Sequence, residues 1–282
     1  MALDQVDVDK LGEEKEMSFL EHLEELRWHI VRAVVAILVG AIGIFLVHKW
    51  FFATVIMAPT EDDFFSYQAL CRFSNFLRMG DSFCIRPPEF EVIAVGFGEA
   101  FITAVKVSIF TGFIIAFPYV LYEVWKFIKP GLYKEEQKAA RGFVFVCSSL
   151  FLTGVLFGYY VIAPFAVKFL SGFDLPGVVN KPTLASYISY LVMFTLPAGL
   201  TFELPVVVYF LAKVGLVSPE GMRQYRRHAI VVILIGASII TPPDVVTQFL
   251  IGVPLYFLYE ISILIAKRVQ KKNEKLELQK TP

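Results

Sequence analysis

Six apolar runs divide this chain, at roughly 28–47, 100–122, 142–163, 187–212, 228–241 and 245–266, each closed by charged or turn-forming residues. The constraint is severe, because a backbone placed in hydrocarbon has no water to bond and must satisfy every N–H and C=O internally. Runs of this length answer it as helices, since about 20 apolar residues at 1.5 Å each cross the roughly 30 Å core of a bilayer. With 56% hydrophobic residues, 18% charged residues and a mean hydropathy of +0.63, the 282-residue chain reads as one all-α integral membrane domain with six transmembrane helices. The fifth run is the exception: about 14 residues reach only ~21 Å, so it lies in a thinned bilayer or is re-entrant.

Net charge is zero by count, yet the charges are unevenly placed. If both termini share one side, that side holds 19 of the 26 Lys and Arg, in clusters up to Arg32, between Glu123 and Gly142, between Lys213 and Arg227, and after Ala266. The positive-inside rule then makes both termini cytoplasmic. The first run begins behind an acidic segment and lacks a small-residue cleavage pattern, so it is expected to stay as helix one. The Lys/Glu-rich segment Lys267–Lys280 reads as a solvated end. The loop 48–99 then faces outward, where disulfides persist, and it carries Cys71 and Cys84. A Cys71–Cys84 bridge and two free thiols are both open readings. Cys147, inside the third run, reads as a small packing residue.

One carboxylate, Glu203, interrupts the uncharged stretch from Tyr187 to Ala212. A charge near a helix centre costs at least ~2.5 to 3.5 kcal/mol on insertion scales, so such a group faces protein or water. Pro205, two residues on, leaves the Thr201 carbonyl without its helical donor, which predicts a bend there. Pro118, Pro164, Pro197 and Pro254 interrupt other spans, as membrane helices allow where neighbours re-satisfy the backbone.

No catalytic signature accompanies the acid. There is no His-Glu-x-x-His, Gly-x-Ser-x-Gly or Gly-x-x-x-x-Gly-Lys, and His22, His29, His48 and His228 stand at non-ligand spacings, which argues against a metal site or nucleophilic catalysis. The cytoplasmic face is instead acidic where it would ordinarily be basic. Ser18 through Glu21 has capping-box spacing, so a helix should start there, with Phe19, Leu20, Leu23, Leu26 and Ile30 as one stripe and Glu21 and Glu25 on another face. Taken alone, Glu25 would be a solvated residue paired with Arg27 or Arg32.

A second acidic pair, Glu135-Glu136, follows the aromatic run from Trp125 to Tyr133 in the loop after helix two. Two carboxylates beside Phe127, Leu132 and Tyr133 suit a ligand with two guanidinium groups followed by an apolar stretch, because arginine meets carboxylate through a planar fork. The alternative is a helix start, where the dipole favours acids. On the outer side, Thr241-Pro242-Pro243-Asp244 reads as a turn and N-cap, with Gln248 one turn beyond Asp244. Glu260, near the inner interface, reads as a paired structural acid.

These segments resemble one family. His22-Leu23-Glu24-Glu25-Leu26-Arg27, the stretch from Phe117-Pro118 through Pro130 to Glu136, Phe202-Glu203-Leu204-Pro205, and Thr241-Pro242-Pro243-Asp244 with Gln248 are similar, in order and topology, to the TatC family of bacterial twin-arginine translocases. The resemblance implies a glove-shaped, concave six-helix bundle in the bacterial cytoplasmic membrane. It implies a receptor for twin-arginine signal peptides of folded proteins, working with TatA- and TatB-type single-span subunits and membrane lipids in a multi-copy complex driven by the proton-motive force. It implies no cofactor, no enzymatic step and no nucleic acid. By position, Glu25 and Glu136 correspond to the acids that receive the arginines, and Phe127, Pro130, Leu132 and Tyr133 to the surface around them. Glu203 corresponds to a buried polar point, and Pro59, Pro118, Asp244 and Gln248 to further family positions. The competing reading from the residues alone is a proton-coupled carrier in which Glu203 titrates, against which the missing internal repeat counts.

Overall fold

Each apolar run carries a helix through its described residues. The computed structural model describes residues 19–76, 84, 91–128, 140–173, 176–177, 181–240 and 245–280. In chain order the helices are α1 (Phe19–Leu46), α2 (His48–Phe51), α3 (Phe65–Phe76), α4 (Glu99–Ile128), α5 (Ala140–Phe157), α6 (Ala163–Ser171), α7 (Leu184–Thr201), α8 (Leu204–Lys213), α9 (Pro219–Gln224), α10 (Arg226–Ile240) and α11 (Val245–Lys280). Among the described residues, five stretches are long and apolar enough to cross a bilayer: Glu24–Leu46, Glu99–Ile128, Gly142–Ser171, Leu184–Lys213 and Thr247–Asn273. The 15-residue α10 covers the short fifth apolar run.

The hydrogen bonds of α10 set its direction against α11. At one end Arg226 Nη2 donates to Glu260 Oε2 of α11 at 2.6 Å, and further along Gln248 Nε2 of α11 donates to the Leu234 carbonyl at 3.1 Å. As numbers rise on α10 they fall on α11, so the two run antiparallel and the chain ends on the side where α8 ended. Glu260 is thus the paired acid its position predicts, and Gln248 is a tie between the last two helices. Asp244 and its turn lie outside the described residues.

Small residues set how closely the long helices approach. α1 packs chiefly along α4, and its outer residues Val34, Val35, Leu38, Val39 and Ile42 are exposed to the place lipid would take. A Cβ on Gly112 of α4 would lie 2.5 Å from the Ala41 nitrogen of α1. Gly154 of α5 and Gly158, just past its end, do the same against α7, where a Cβ on Gly158 would meet the Phe194 carbonyl oxygen at 2.5 Å. This small-xxx-small spacing is how membrane helices gain van der Waals contact when lipid offers no hydrophobic driving force. The main core gathers there, around Phe194, Ile162, Ala163, Ala166, Ala237 and Leu258.

The prolines act as expected at some sites and more mildly at others. Between α7 and α8 the helix breaks at Phe202-Glu203, and Pro205 occupies the first turn of α8, where its missing N–H costs nothing. Pro118, Pro197 and Pro254 lie inside α4, α7 and α11 without ending them. Pro164 follows a π-turn, Gly158–Ile162, so Gly142–Ser171 remains one span eight residues longer than the apolar run 142–163 indicates.

The outer end of α1 also continues, through α2, a π-turn at Phe52–Ile56 and a 3₁₀ turn at Ala58–Thr60 that contains buried Pro59. Three tyrosine hydroxyls donate to carbonyls there: Tyr159 to Val55, Tyr187 to Ile56 at 2.8 Å, and Tyr67 to Pro59 at 2.7 Å. These donors reach carbonyls in the irregular turns, which lets non-helical backbone persist in a protein interior. Burial pushes the Tyr67 hydroxyl up to about 12, so it remains a donor at any physiological pH. Glu99 makes a second outer tie, accepting from the Val95 and Gly96 N–H groups at 2.8 Å and from Ala185 N–H at 2.9 Å, at the first turn of α7.

The outer loop is stapled. Cys71 and Cys84 form a disulfide with Cα atoms 4.4 Å apart, and α3 is held to the bundle by Phe64 stacking on Tyr160 at 5.4 Å and by Ser66 donating to the Tyr160 carbonyl. Cys147 is 1% exposed and free, as a packing residue would be. Unfolded, unreduced protein is therefore expected to take up one maleimide, and reduced protein three, by intact mass. Three labels without reductant would disprove the bridge. Reduction should cost roughly 3 kcal/mol in the chain-entropy model for so short a loop.

Candidate functional site

Where α1 and α4 meet at their cytoplasmic ends, a cluster of charges is built from the sequence upward. Glu25 and His29 are one helical turn apart on α1, so both face the same neighbour. On α4 the same spacing logic stacks Glu123, Lys126 and Phe127 in its last turns. Glu123 is 2% exposed, and such a carboxylate stays in an interior only if it is paired. It is paired three times: Oε2 lies 2.6 Å from His29 Nδ1 and 3.7 Å from Arg32 Nη1, while Oε1 lies 3.5 Å from Lys126 Nζ.

His29 links this buried acid to an open one. Its second ring nitrogen, Nε2, is 3.9 Å from Glu25 Oε1, an ion pair when the ring is protonated, and the Glu25 side chain is 37% exposed. The Phe127 ring stands edge-on to the imidazole, centroids 6.3 Å apart. Of the residues predicted for the site, Glu25 and Phe127 are thus brought together around His29. Pro130, Leu132, Tyr133 and Glu136 lie outside the described residues. Glu25 pairs with neither Arg27 nor Arg32 as the solvated reading has it; Arg32 turns to Glu123 instead.

Chemically, the His29 ring, Arg32 and Lys126 occupy Glu123 and leave Glu25 as the accessible acceptor. No group of His, Cys, Asp and Glu among the described residues could hold a metal ion. The cluster is suited to binding a cation through a half-open carboxylate beside an aromatic edge, with a second carboxylate behind it fixing the histidine.

His29 and Glu123 were not picked out by motif. Glu123 closes the second apolar run and reads as its boundary, whereas α4 continues to Ile128. The available signal was two ionisable residues at matching depths, one at the start of run one and one at the end of run two.

Glu203 sits apart from this cluster, in the break between α7 and α8. It is half-buried against the Cys147 thiol of α5, and its Oε1 is buried with no hydrogen-bond partner among the described residues.

The chain can be placed among known proteins. A family model described as Sec-independent protein translocase protein (TatC) matches residues 21–254. Relatives named Sec-independent protein translocase protein TatC include those of Blattabacterium sp. subsp. Periplaneta americana, 37% identical over 264 residues, covering 93% of this chain and 99% of the relative. The Helicobacter pylori 26695 protein is 38% identical over 256 residues, covering 90% of each. Among solved structures, one described as the crystal structure of the twin arginine translocase receptor TatC aligns with a TM-score of 0.66 at 34% identity, over 89% of this chain and all of the other. A second, of TatC in DDM, aligns with a TM-score of 0.67 at 32% identity, over 87% of this chain and 99% of the other. With matching run order, an all-helical fold and matches across most of its length, this multi-pass bacterial inner-membrane chain belongs to the TatC family of Sec-independent protein translocase components.

Proposed function

We propose that this protein is the receptor for twin-arginine signal peptides and the core subunit of a translocase that exports folded proteins on the proton-motive force, working with TatA- and TatB-type single-span subunits. The observation that carries the reading is the half-open Glu25 carboxylate held beside Phe127 by the His29–Glu123 pair. Glu25 takes one arginine of the signal. Glu136, with Pro130, Leu132 and Tyr133 around it, takes the other. Glu203 acts later, as a polar point that an inserting signal peptide or a partner helix meets. Pro59 and Pro118 shape the helices around that path, and Asp244 with Gln248 form an outer partner contact.

The test is binding of a synthetic signal peptide with paired arginines, and of its twin-lysine form, to the purified protein. Lysine is expected to weaken binding on the order of tenfold, because a point charge replaces a bidentate fork. Equal affinity for both peptides would refute the receptor reading. Glu25→Ala and Glu136→Ala should each weaken binding at least about tenfold, the scale for truncating one partner of a charge pair. Glu203→Ala should leave first binding nearly intact. The reverse pattern would move the recognition site to Glu203.

A further inference from the structure

In the outer half of the bundle α4, α5 and α7 each pack on the other two, yet they enclose a cavity of about 230 Å³. Val107 and Ile114 of α4, Val155 of α5, and Ile188, Leu191 and Leu196 of α7 line it, and Phe51 and Val55 reach it from the outer side. Thr195 and Tyr159 on its wall give their hydroxyls to the Leu191 and Val55 carbonyls, so the interior is apolar but for Thr111 and, at one side, Tyr160. Apolar cavities of this scale, down to ~150 Å³, stay dry and take apolar guests.

The cavity has a way in. A surface groove of about 550 Å³ beside Phe65 of α3 shares Leu156 and Tyr160 with it, and these two residues are 53% and 36% exposed. The stack of Phe64 on Tyr160 and the Ser66 bond to the Tyr160 carbonyl fix α3 on that rim. Tyr160 lies ~27 Å along its span from Gly142 at 1.5 Å per residue, so the mouth stands near the outer edge of a ~30 Å core. From Ile188 to Leu196 the wall runs ~12 Å inward, most of the ~15 Å depth of one leaflet.

We infer that this cavity holds one acyl chain of an outer-leaflet phospholipid, which enters between Leu156 and Tyr160 and leaves its headgroup beside α3. Width and surroundings select the occupant. A helix keeps its axis roughly 8–10 Å from that of each neighbour, and the centre of three helices already packed pairwise has no such room, so neither a partner's span nor a helical signal segment fits. An unbranched chain does fit, and hydrocarbon is what the spanning stretches set around the mouth. An empty cavity forfeits the dispersion contacts of its lining, and the acyl chain restores them. It thereby ties α4 to α7 in the outer half, with the disulfide-stapled α3 standing over the entrance.

Buried residues supply the test. The protein is reconstituted in phosphatidylethanolamine and phosphatidylglycerol vesicles containing a minor fraction of phosphatidylcholine with a diazirine at mid-chain, irradiated, and mapped by mass spectrometry. Ile188 and Leu191 are 2% and 5% exposed, so lipid around the outside does not reach them, while the exposed Ile109 and Ile115 of α4 report that outer lipid. Label is expected at all four. Val192→Phe, which fills the cavity, and Leu156→Trp, which narrows its mouth, should each abolish label at Ile188 and Leu191 and keep it at Ile109 and Ile115. Leu156 is exposed, so its variant spares the fold should Val192→Phe not. Label at Ile109 and Ile115 without label at Ile188 and Leu191 would overturn the inference, as would cavity label that survives both variants. So would loss of the cavity label on saturation with a twin-arginine peptide, which would assign the cavity to the peptide. Label from a diazirine fatty acid but not from the phospholipid would assign it to a free acid instead.

Discussion

Replacing Glu123 with alanine is expected to lower the protein's stability by about 3 kcal/mol and to remove most twin-arginine peptide binding, although Glu123 itself touches no ligand. Removing one member of a buried ion pair leaves the other member charged or polar without compensation, and that stranded group sets the cost. Here the stranded group is His29, whose side chain is 9% exposed; Arg32 and Lys126 are 52% and 41% exposed and can turn to water. The estimate therefore sits at the low end for buried pairs. Binding falls because His29 is also what holds Glu25 near Phe127. Glu123→Gln keeps a carbonyl oxygen for the imidazole, so it should retain most stability and much of the binding. The double change Glu123→Ala with His29→Ala should recover part of the lost stability, since the stranded group goes too, while binding stays low. Thermal unfolding in detergent and peptide titration read these effects separately. Wild-type stability in Glu123→Ala would show that the pair does not anchor α1 to α4.

How much of this was legible before the structure can be traced residue by residue. The spans were, because hydrocarbon permits only internally bonded backbone and long apolar runs announce it. The bend at Pro205 was legible for the same local reason: a missing N–H acts on its own helix. Tertiary pairings were not. Glu123 looked like the end of a helix because a sequence does not reveal that His29, Arg32 and Lys126 surround it, and three partners turn a boundary residue into an interior one. Pro164 looked like an interruption because the π-turn at Gly158–Ile162 that precedes it has no sequence signature as plain as proline's own. The tyrosine hydroxyls that bond Val55, Ile56 and Pro59 come from residues 8 to 131 positions away, beyond the reach of periodicity. Glu25 and Phe127 stand in motif segments, whereas His29, which joins them, has no ligand spacing to mark it.

Gly158→Leu should prevent recovery of folded, monodisperse protein, and Gly158→Ala should cost roughly 3 kcal/mol, the upper part of the overpacking range. The obstacle is backbone. A Cβ at this position would stand 2.5 Å from the Phe194 carbonyl oxygen and 2.8 Å from the Thr195 Cα, so no side-chain rotation in α7 can relieve it. Phe194 is 0% exposed and belongs to the core that joins α7 to the π-turn, so separating the helices opens that core as well. Gly154, four residues earlier, faces the Ala198 carbonyl oxygen at 2.7 Å, so the two glycines form one seam and either substitution should act on the whole of it. Gly43 and Gly236 provide the control, since a Cβ there meets nothing within 4 Å. Alanine at either is expected to be neutral or slightly stabilising, because it removes backbone freedom from the unfolded helix without a new contact. Size-exclusion profiles and thermal melts of the four alanine variants would then divide them into two pairs. If Gly158→Ala melted with Gly43→Ala, the α5–α7 approach would be looser than the backbone distances state, and the seam would not be what fixes the position of Glu203 at the end of α7.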